Sequence, residues 1–384
     1  MILIKGGLVK PIASPDIENG EVLMDGGKIV AIGQNLPVPE GTEVVDATGC
    51  LVTPGLVEAH CHVGLDGETV RWEGSEVNEA IDPITPEMRG LDGFNPQDEG
   101  VRNALAGGIT TAVTGPGSAN VIGGTFFAVK LKGESVDEMV LRDPVAMKIA
   151  FGENPKGCYG QKGKEPQTRM GVAALLRTTL AKAFRYAEEI DEAEADSTKK
   201  RPYDPKLEAM LPVVRHQIPL KAHAHQANDI LTAIRIAEEF GLDITLDHCT
   251  DGELIIPQLV KAGKPVLIGP SLGAKSKFEL KNKSFTTPGV LDAAGLQVCI
   301  ITDAQVIPLQ YLPLCAGLAI KDGMKEESAW RAITLNPAQV AGIADRVGSL
   351  EVGKDADVVI FEGNPLRDIQ ARVRRVYVNG ERAV

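Results

Sequence analysis

A (β/α)8 barrel of the TIM type, with a small β-sandwich domain assembled from both chain ends, is the fold that this 384-residue sequence predicts. Three observations carry that expectation. Apolar runs alternate with amphipathic stretches that stop at glycine, the pattern of parallel βα units. Five of the six histidines close such apolar runs. The two chain ends share a run of short, glycine-punctuated strands that the middle lacks.

Taken in order, residues 2–9, 21–24, 28–32 and 43–46 read as strands, and Asp25-Gly26-Gly27 reads as a hairpin turn because glycine supplies positive φ. Residues 357–361 and 373–378 have the same character, with a turn at Asn379-Gly380. Neither end is long enough for its own core. One composite domain of residues 1–53 and 346–384 is therefore expected, around a barrel of residues 54–345. Barrel strands are expected at 56–62, 110–114, 126–131, 145–151, 220–225, 244–249, 266–269 and 298–302. Helices are expected at 95–106, 229–240, 253–262 and 287–294, each followed by glycine. A doubly wound sheet would not bring residues from the first, fifth, sixth and eighth strands to one point, whereas a barrel mouth does. The connection between the fourth and fifth strands is long. It holds the glycine-rich 152–160, which borders the mouth and is a candidate to close over substrate. A helix at 170–190 and a charged, solvated stretch at 188–201 follow.

Composition excludes several roles. A net charge of −12 opposes binding to nucleic acid. No apolar run reaches the roughly 18 residues of a membrane span, and the N-terminus does not read as a signal peptide. The six cysteines show no CxxC and no paired spacing, which fits reduced thiols and a cytoplasmic location.

The chemistry is carried by histidine. Side chains alternate along a strand, so His60 and His62 leave one face together, as do His223 and His225. His248 ends another apolar run and Asp303 closes a last one. Neutral imidazoles and a carboxylate at converging strand ends are the donor set of a divalent cation, zinc first among the candidates. His216 lies off this pattern and reads as a surface or packing residue.

These motifs resemble the metal-dependent amidohydrolase superfamily, in particular its imidazolonepropionase-like and prolidase-like branch. The resemblance spans nearly the whole chain. It includes Val52-Thr-Pro-Gly-Leu-Val-Glu-Ala-His60-Cys-His62, Leu335-Asn-Pro-Ala338 and Gly348-Ser-Leu-Glu-Val-Gly-Lys-Asp-Ala-Asp-Val-Val359. It implies that His60 and His62 hold the more buried metal and that His223 and His248 are fifth- and sixth-strand ligands. Asp303 would bind metal and act as the catalytic proton acceptor, general base then acid. His225 would face substrate. A bridging anion would come from a carboxylated Lys148 or from Glu153, giving one or two metals per chain. The reaction implied is hydrolysis of an amide, cyclic amide or dipeptide C–N bond in a small molecule or short peptide. Alternatives are a dipeptidase or carboxypeptidase and, outside catalysis, a scaffold of the same fold. The deaminase branch fits less well, because Ala224-His225-Gln226 stands where a proton-shuttling glutamate would be needed. Arg71, Lys156, Arg169, Lys275, Lys277 and Tyr159 are candidate substrate contacts on mouth loops. Relatives commonly associate, so a homo-oligomer is expected.

Overall fold

The computed structural model describes residues 1–68 and 72–384. Five strands come first: β1 (Ile2–Val9), β2 (Ile17–Asp25), β3 (Lys28–Gly33), β4 (Glu43–Asp46) and β5 (Leu51–Pro54). Strand β1 is forked. Residues 2–5 pair parallel with β4, residues 8–9 pair parallel with β5, and β2 runs antiparallel to β1.

Eight barrel strands follow: β6 (Leu56–Cys61), β7 (Ile109–Thr114), β8 (Ile122–Lys130), β9 (Val140–Ala150), β10 (Leu220–Ala224), β11 (Ile244–His248), β12 (Val266–Ile268) and β13 (Val298–Ile300). They pair in chain order as one sheet. The chain then returns through β14 (Val358–Glu362), β15 (Arg372–Val378) and β16 (Glu381–Arg382). Strand β14 pairs with β5, so both termini share the small sheet. Its core gathers Ile4, Val22, Ile29 and Val52 from the first segment with Val358, Ile360 and Tyr377 from the last.

All eight expected barrel strands are present, but one direction differs from the parallel repeat. Strand β8 is antiparallel to both β7 and β9, while the other neighbouring pairs are parallel. The cause is chain length. A parallel return needs a crossover of about a dozen residues or more, and residues 115–121 allow only a hairpin.

The helices follow the glycine signals. Ala227–Phe240 stops at Gly241, whose φ of 66° lets the chain leave the helix left-handed. The expected 253–262 helix divides into a 3-10 turn, Gly252–Ile255, and an α-helix, Ile256–Ala262. The helix expected at 170–190 runs from Arg169 to Ala195. Among the described residues no helix is long and apolar enough to cross a membrane.

Two polar devices hold the pieces together. At the seam between β6 and β13 the buried Glu58 carboxylate accepts from His60 N (2.9 Å), Thr302 N (2.9 Å) and Thr302 Oγ1 (2.7 Å). His62 N also donates across to Ala304 O at 2.6 Å. At the junction with the small sheet, buried Lys130 on β8 meets Asp355 at 2.7 Å and Asp357 at 3.0 Å. Asp355 additionally pairs with Lys28 and Arg346.

Candidate metal centre

The C-terminal ends of β6, β10 and β11 bring five imidazoles together. Ring centroids of His60 and His248 lie 5.2 Å apart, and those of His223 and His248 lie 4.4 Å apart. Among the described residues, two groups have donor atoms all within 4.8 Å of one another: His60, His62 and Asp303, and His223, His225 and His248. His248 and Asp303 turn into the mouth on left-handed backbone, with φ of 70° and 53°. Such conformations in residues other than glycine are costly and cluster at functional sites.

Hydrogen bonds fix which ring nitrogen faces the centre. His62 Nδ1 lies 2.7 Å from Gly115 O and His248 Nδ1 lies 2.6 Å from Gly269 O. A carbonyl only accepts, so each Nδ1 carries the proton and each Nε2 presents a lone pair inward. His60 Nδ1 is held at 2.7 Å by the Asp247 carboxylate, which Lys221 approaches at 3.3 Å. Ser118 Oγ holds His223 Nδ1 at 2.9 Å, and Thr250 Oγ1 holds His225 Nδ1 at 2.8 Å.

Electrostatics agree with neutral rings. Burial and the Lys148 ammonium push His60 down to about 3, against the opposing pull of Asp247. Burial and neighbouring imidazoles hold His223 and His225 well below the usual range.

The residues fit a cation. Asp303 Oδ1 lies 3.4 Å from His60 Nε2 and 3.3 Å from His62 Nε2. Oxygen facing two lone-pair nitrogens is unfavourable unless positive charge lies between them. His248 Nε2 is buried with no hydrogen-bond partner among the described residues. A cation meets both needs, and imidazole with carboxylate is a zinc-type donor set.

The other candidates are placed as follows. Lys148 is fully buried on β9, with Nζ 3.2 Å from His60 Nε2, and burial pushes it down to about 8. Glu153 is exposed at the start of the helix Glu153–Gly160 and belongs to neither donor group; its backbone N donates to Glu279 at 3.0 Å. The glycine-rich segment is thus mostly helical. His225 stands within the second histidine group, as a donor beside His223 and His248. Arg169 is engaged by Asp229 at 2.8 Å and 3.0 Å. Tyr159 OH donates to Asp82 O and Asn120 Oδ1. Lys275 bonds Lys281 O, whereas Lys277 reaches the centre's edge. Lys156 is half-buried, His216 is exposed, and Arg71 lies outside the described residues. All six cysteines are unpaired.

Two residues close to the rings carried no distinctive sequence signal. Asp247 precedes His248, and strict alternation would turn it away. Glu279 lies in Lys275-Ser-Lys-Phe-Glu279-Leu, which reads as an ordinary charged loop. Yet its side chain is almost fully buried, with Oε1 3.8 Å from His223 Nε2 and 3.7 Å from His225 Nε2.

A barrel whose strand ends gather two such donor groups belongs, by class, with enzymes that act at the C-terminal mouth. A model of the amidohydrolase family matches residues 51–383, and the chain belongs to that family. An amidohydrolase from Thermotoga maritima MSB8 is 41% identical, with a TM-score of 0.97 and 100% of both chains covered. The amidohydrolase tasK of Hapsidospora irregularis is 28% identical over 94% of this chain, which spans 39% of that protein's length. A dihydroorotase of Citrifermentans bemidjiense is 31% identical over 44% of this chain and 32% of its own length.

Proposed function

We propose that this protein hydrolyses a C–N bond of a small molecule, an amide or ring amide before a dipeptide, with one or two divalent cations at the barrel mouth. The observation that carries the reading is Asp303 Oδ1 facing the Nε2 atoms of His60 and His62 at 3.3–3.4 Å. Family membership supports hydrolysis, and the match to a dihydroorotase, named for a ring amide, supports that substrate class.

His60, His62 and Asp303 would hold one ion, and His223 and His248 a second; Lys148, beside His60, would supply the bridging anion once carboxylated. A bound divalent ion supplies Lewis acidity to a carbonyl and lowers the pKa of water. The protein's own groups do the rest. Asp247, Gly115 and Gly269 keep the rings in the tautomer that points Nε2 inward. Asp303 is half-buried, 15% exposed at its side chain, so it can meet a water at the mouth. It accepts that water's proton and returns it to the leaving nitrogen.

The test is turnover of ring amides, N-acyl amino acids and dipeptides by zinc-loaded protein, with Asp303→Asn beside it. Loss of about 10²–10⁴-fold in the variant, with metal retained, is expected for removal of a general base. Undiminished turnover in Asp303→Asn would refute the proton-transfer role. Faster cleavage of dipeptides than of ring amides would reverse the substrate order.

A further inference from the structure

We infer that Glu279 is a cation ligand, the carboxylate partner of the His223/His225/His248 group as Asp303 is of His60 and His62. The inference rests on the proposed metal centre and adds a donor from the loop after β12.

The two groups have the same construction. Each contains two histidines separated by one residue at the end of one strand, and each pair faces a single carboxylate oxygen through both Nε2 atoms. In the first group the separations are 3.4 and 3.3 Å, in the second 3.8 and 3.7 Å. Donors sharing one tetrahedral ion stand roughly 3.4 Å apart. The second group is only a few tenths wider, within reach of a small side-chain rotation.

The proton positions point the same way. Asn154 Oδ1 accepts from Lys277 Nζ at 2.8 Å, which turns its Nδ2 toward His223 Nε2 at 3.4 Å. An N–H directed at Nε2 means that this nitrogen carries a lone pair. Glu279 Oε1 therefore faces an acceptor across 3.8 Å, with the Lys277 ammonium 2.6 Å from the same oxygen. Glu279 Oε2 accepts from Glu153 N at 3.0 Å, which holds the side chain with Oε1 toward the imidazoles.

The backbone is shaped around this carboxylate. Gly152 has a φ of 78°, and a Cβ there would lie 2.8 Å from Glu279 Oε2 and 3.0 Å from Asp229 Oδ2. Glycine lets the end of β9 pass directly beneath Glu279.

The experiment titrates Zn2+ and Co2+ into chelator-stripped, bicarbonate-treated protein. Equivalents are counted by elemental analysis, and Co2+ coordination is read from visible absorption. Wild type is expected to take up two equivalents. Glu279→Gln, which keeps an acceptor for Glu153 N, should retain one and bind the second at least tenfold more weakly, with an altered Co2+ spectrum. Glu279→Asp should also weaken the second ion, giving a second reading should the glutamine variant fold poorly. Lys277→Gln should keep both equivalents. Two tight ions and a wild-type spectrum in Glu279→Gln would overturn the assignment and leave the proposed function standing. Equal weakening in Lys277→Gln would also overturn it, because the ion pair and not the carboxylate would then matter. No cation uptake by wild type would instead remove the metal-centre reading itself.

Discussion

Asp247→Asn separates the support of the centre from the centre itself. Asp247 Oδ2 accepts from His60 Nδ1 at 2.7 Å and lies 3.3 Å from Lys221 Nζ, while Oδ1 accepts from Thr245 Oγ1 at 2.9 Å. Asparagine preserves the shape and can still accept from His60, so what it removes is charge. At 3.3 Å and an effective dielectric of about 20, the lost attraction to Lys221 is about 5 kcal/mol gross. Lys221 keeps Ala59 O at 2.9 Å, and the unfolded chain no longer has a carboxylate to desolvate. The net loss expected is about 3 kcal/mol, the low end for breaking a buried pair. A less basic His60 should also bind zinc about 10- to 100-fold more weakly. Urea unfolding of metal-free protein measures the first quantity and competition with a chelating indicator the second. Wild-type zinc affinity, with an unfolding cost below about 1 kcal/mol, would refute the claim that Asp247 sets the charge and orientation of His60.

Two further outcomes test other parts of the molecule. Lys148→Gln should reduce metal uptake below two equivalents and abolish any dependence on bicarbonate, read by elemental analysis of protein prepared with and without it. Uptake of two equivalents by that variant would remove Lys148 from the centre. Asp355 gives a pH dependence whose sign is fixed: Lys130, Lys28 and Arg346 overcome its burial and hold it at about 2, below the ordinary 3.8. A lowered folded-state value means stability that is complete above about 3.8 and is lost as the pH falls through about 2. The full shift would be worth about 2 kcal/mol, and the half-exposed Lys28 and Arg346 reduce it to about 1 kcal/mol. The denaturation midpoints of wild type and Asp355→Asn should therefore converge between pH 4 and pH 2; parallel curves would contradict this account.

The strands and the first candidate ligands are legible because periodicity survives without tertiary context. His60 and His62, like His223 and His225, needed only alternation to share a face. Failure came where the backbone departs from alternation or where a loop folds back. Left-handed turning at His248 lets Asp247 and His248 both serve the interior, which no period-two pattern shows. Glu279 is hidden in a charged loop, because burial of one loop carboxylate is decided by the barrel it folds onto. Arg169 and Tyr159 carry side chains suited to a substrate contact, and the structure gives each a partner that sequence spacing does not reveal: Asp229, sixty residues away, and the Asp82–Asn120 region. Lys148 and Glu153 looked equivalent in sequence, yet one lies inside the barrel and the other outside it.

The reversed direction of β8 bears directly on the centre. A helical crossover after β7 would have carried the chain away from the mouth. The seven-residue hairpin instead leaves residues 115–121 across it, and two of them touch the rings: Gly115 O at His62 Nδ1 and Ser118 Oγ at His223 Nδ1. One histidine from each pair is thus oriented by the same short loop. That loop is pinned from below, since Asn120 bonds Tyr159 OH, Thr85 Oγ1 and Glu79 O. Tyr159 therefore braces that loop through Asn120. Exchanging a helix for a hairpin couples the His60/His62 group to the His223/His225 group through backbone. Displacing that loop would disturb both histidine groups together, whereas changes at Asp247 or Glu279 would disturb one.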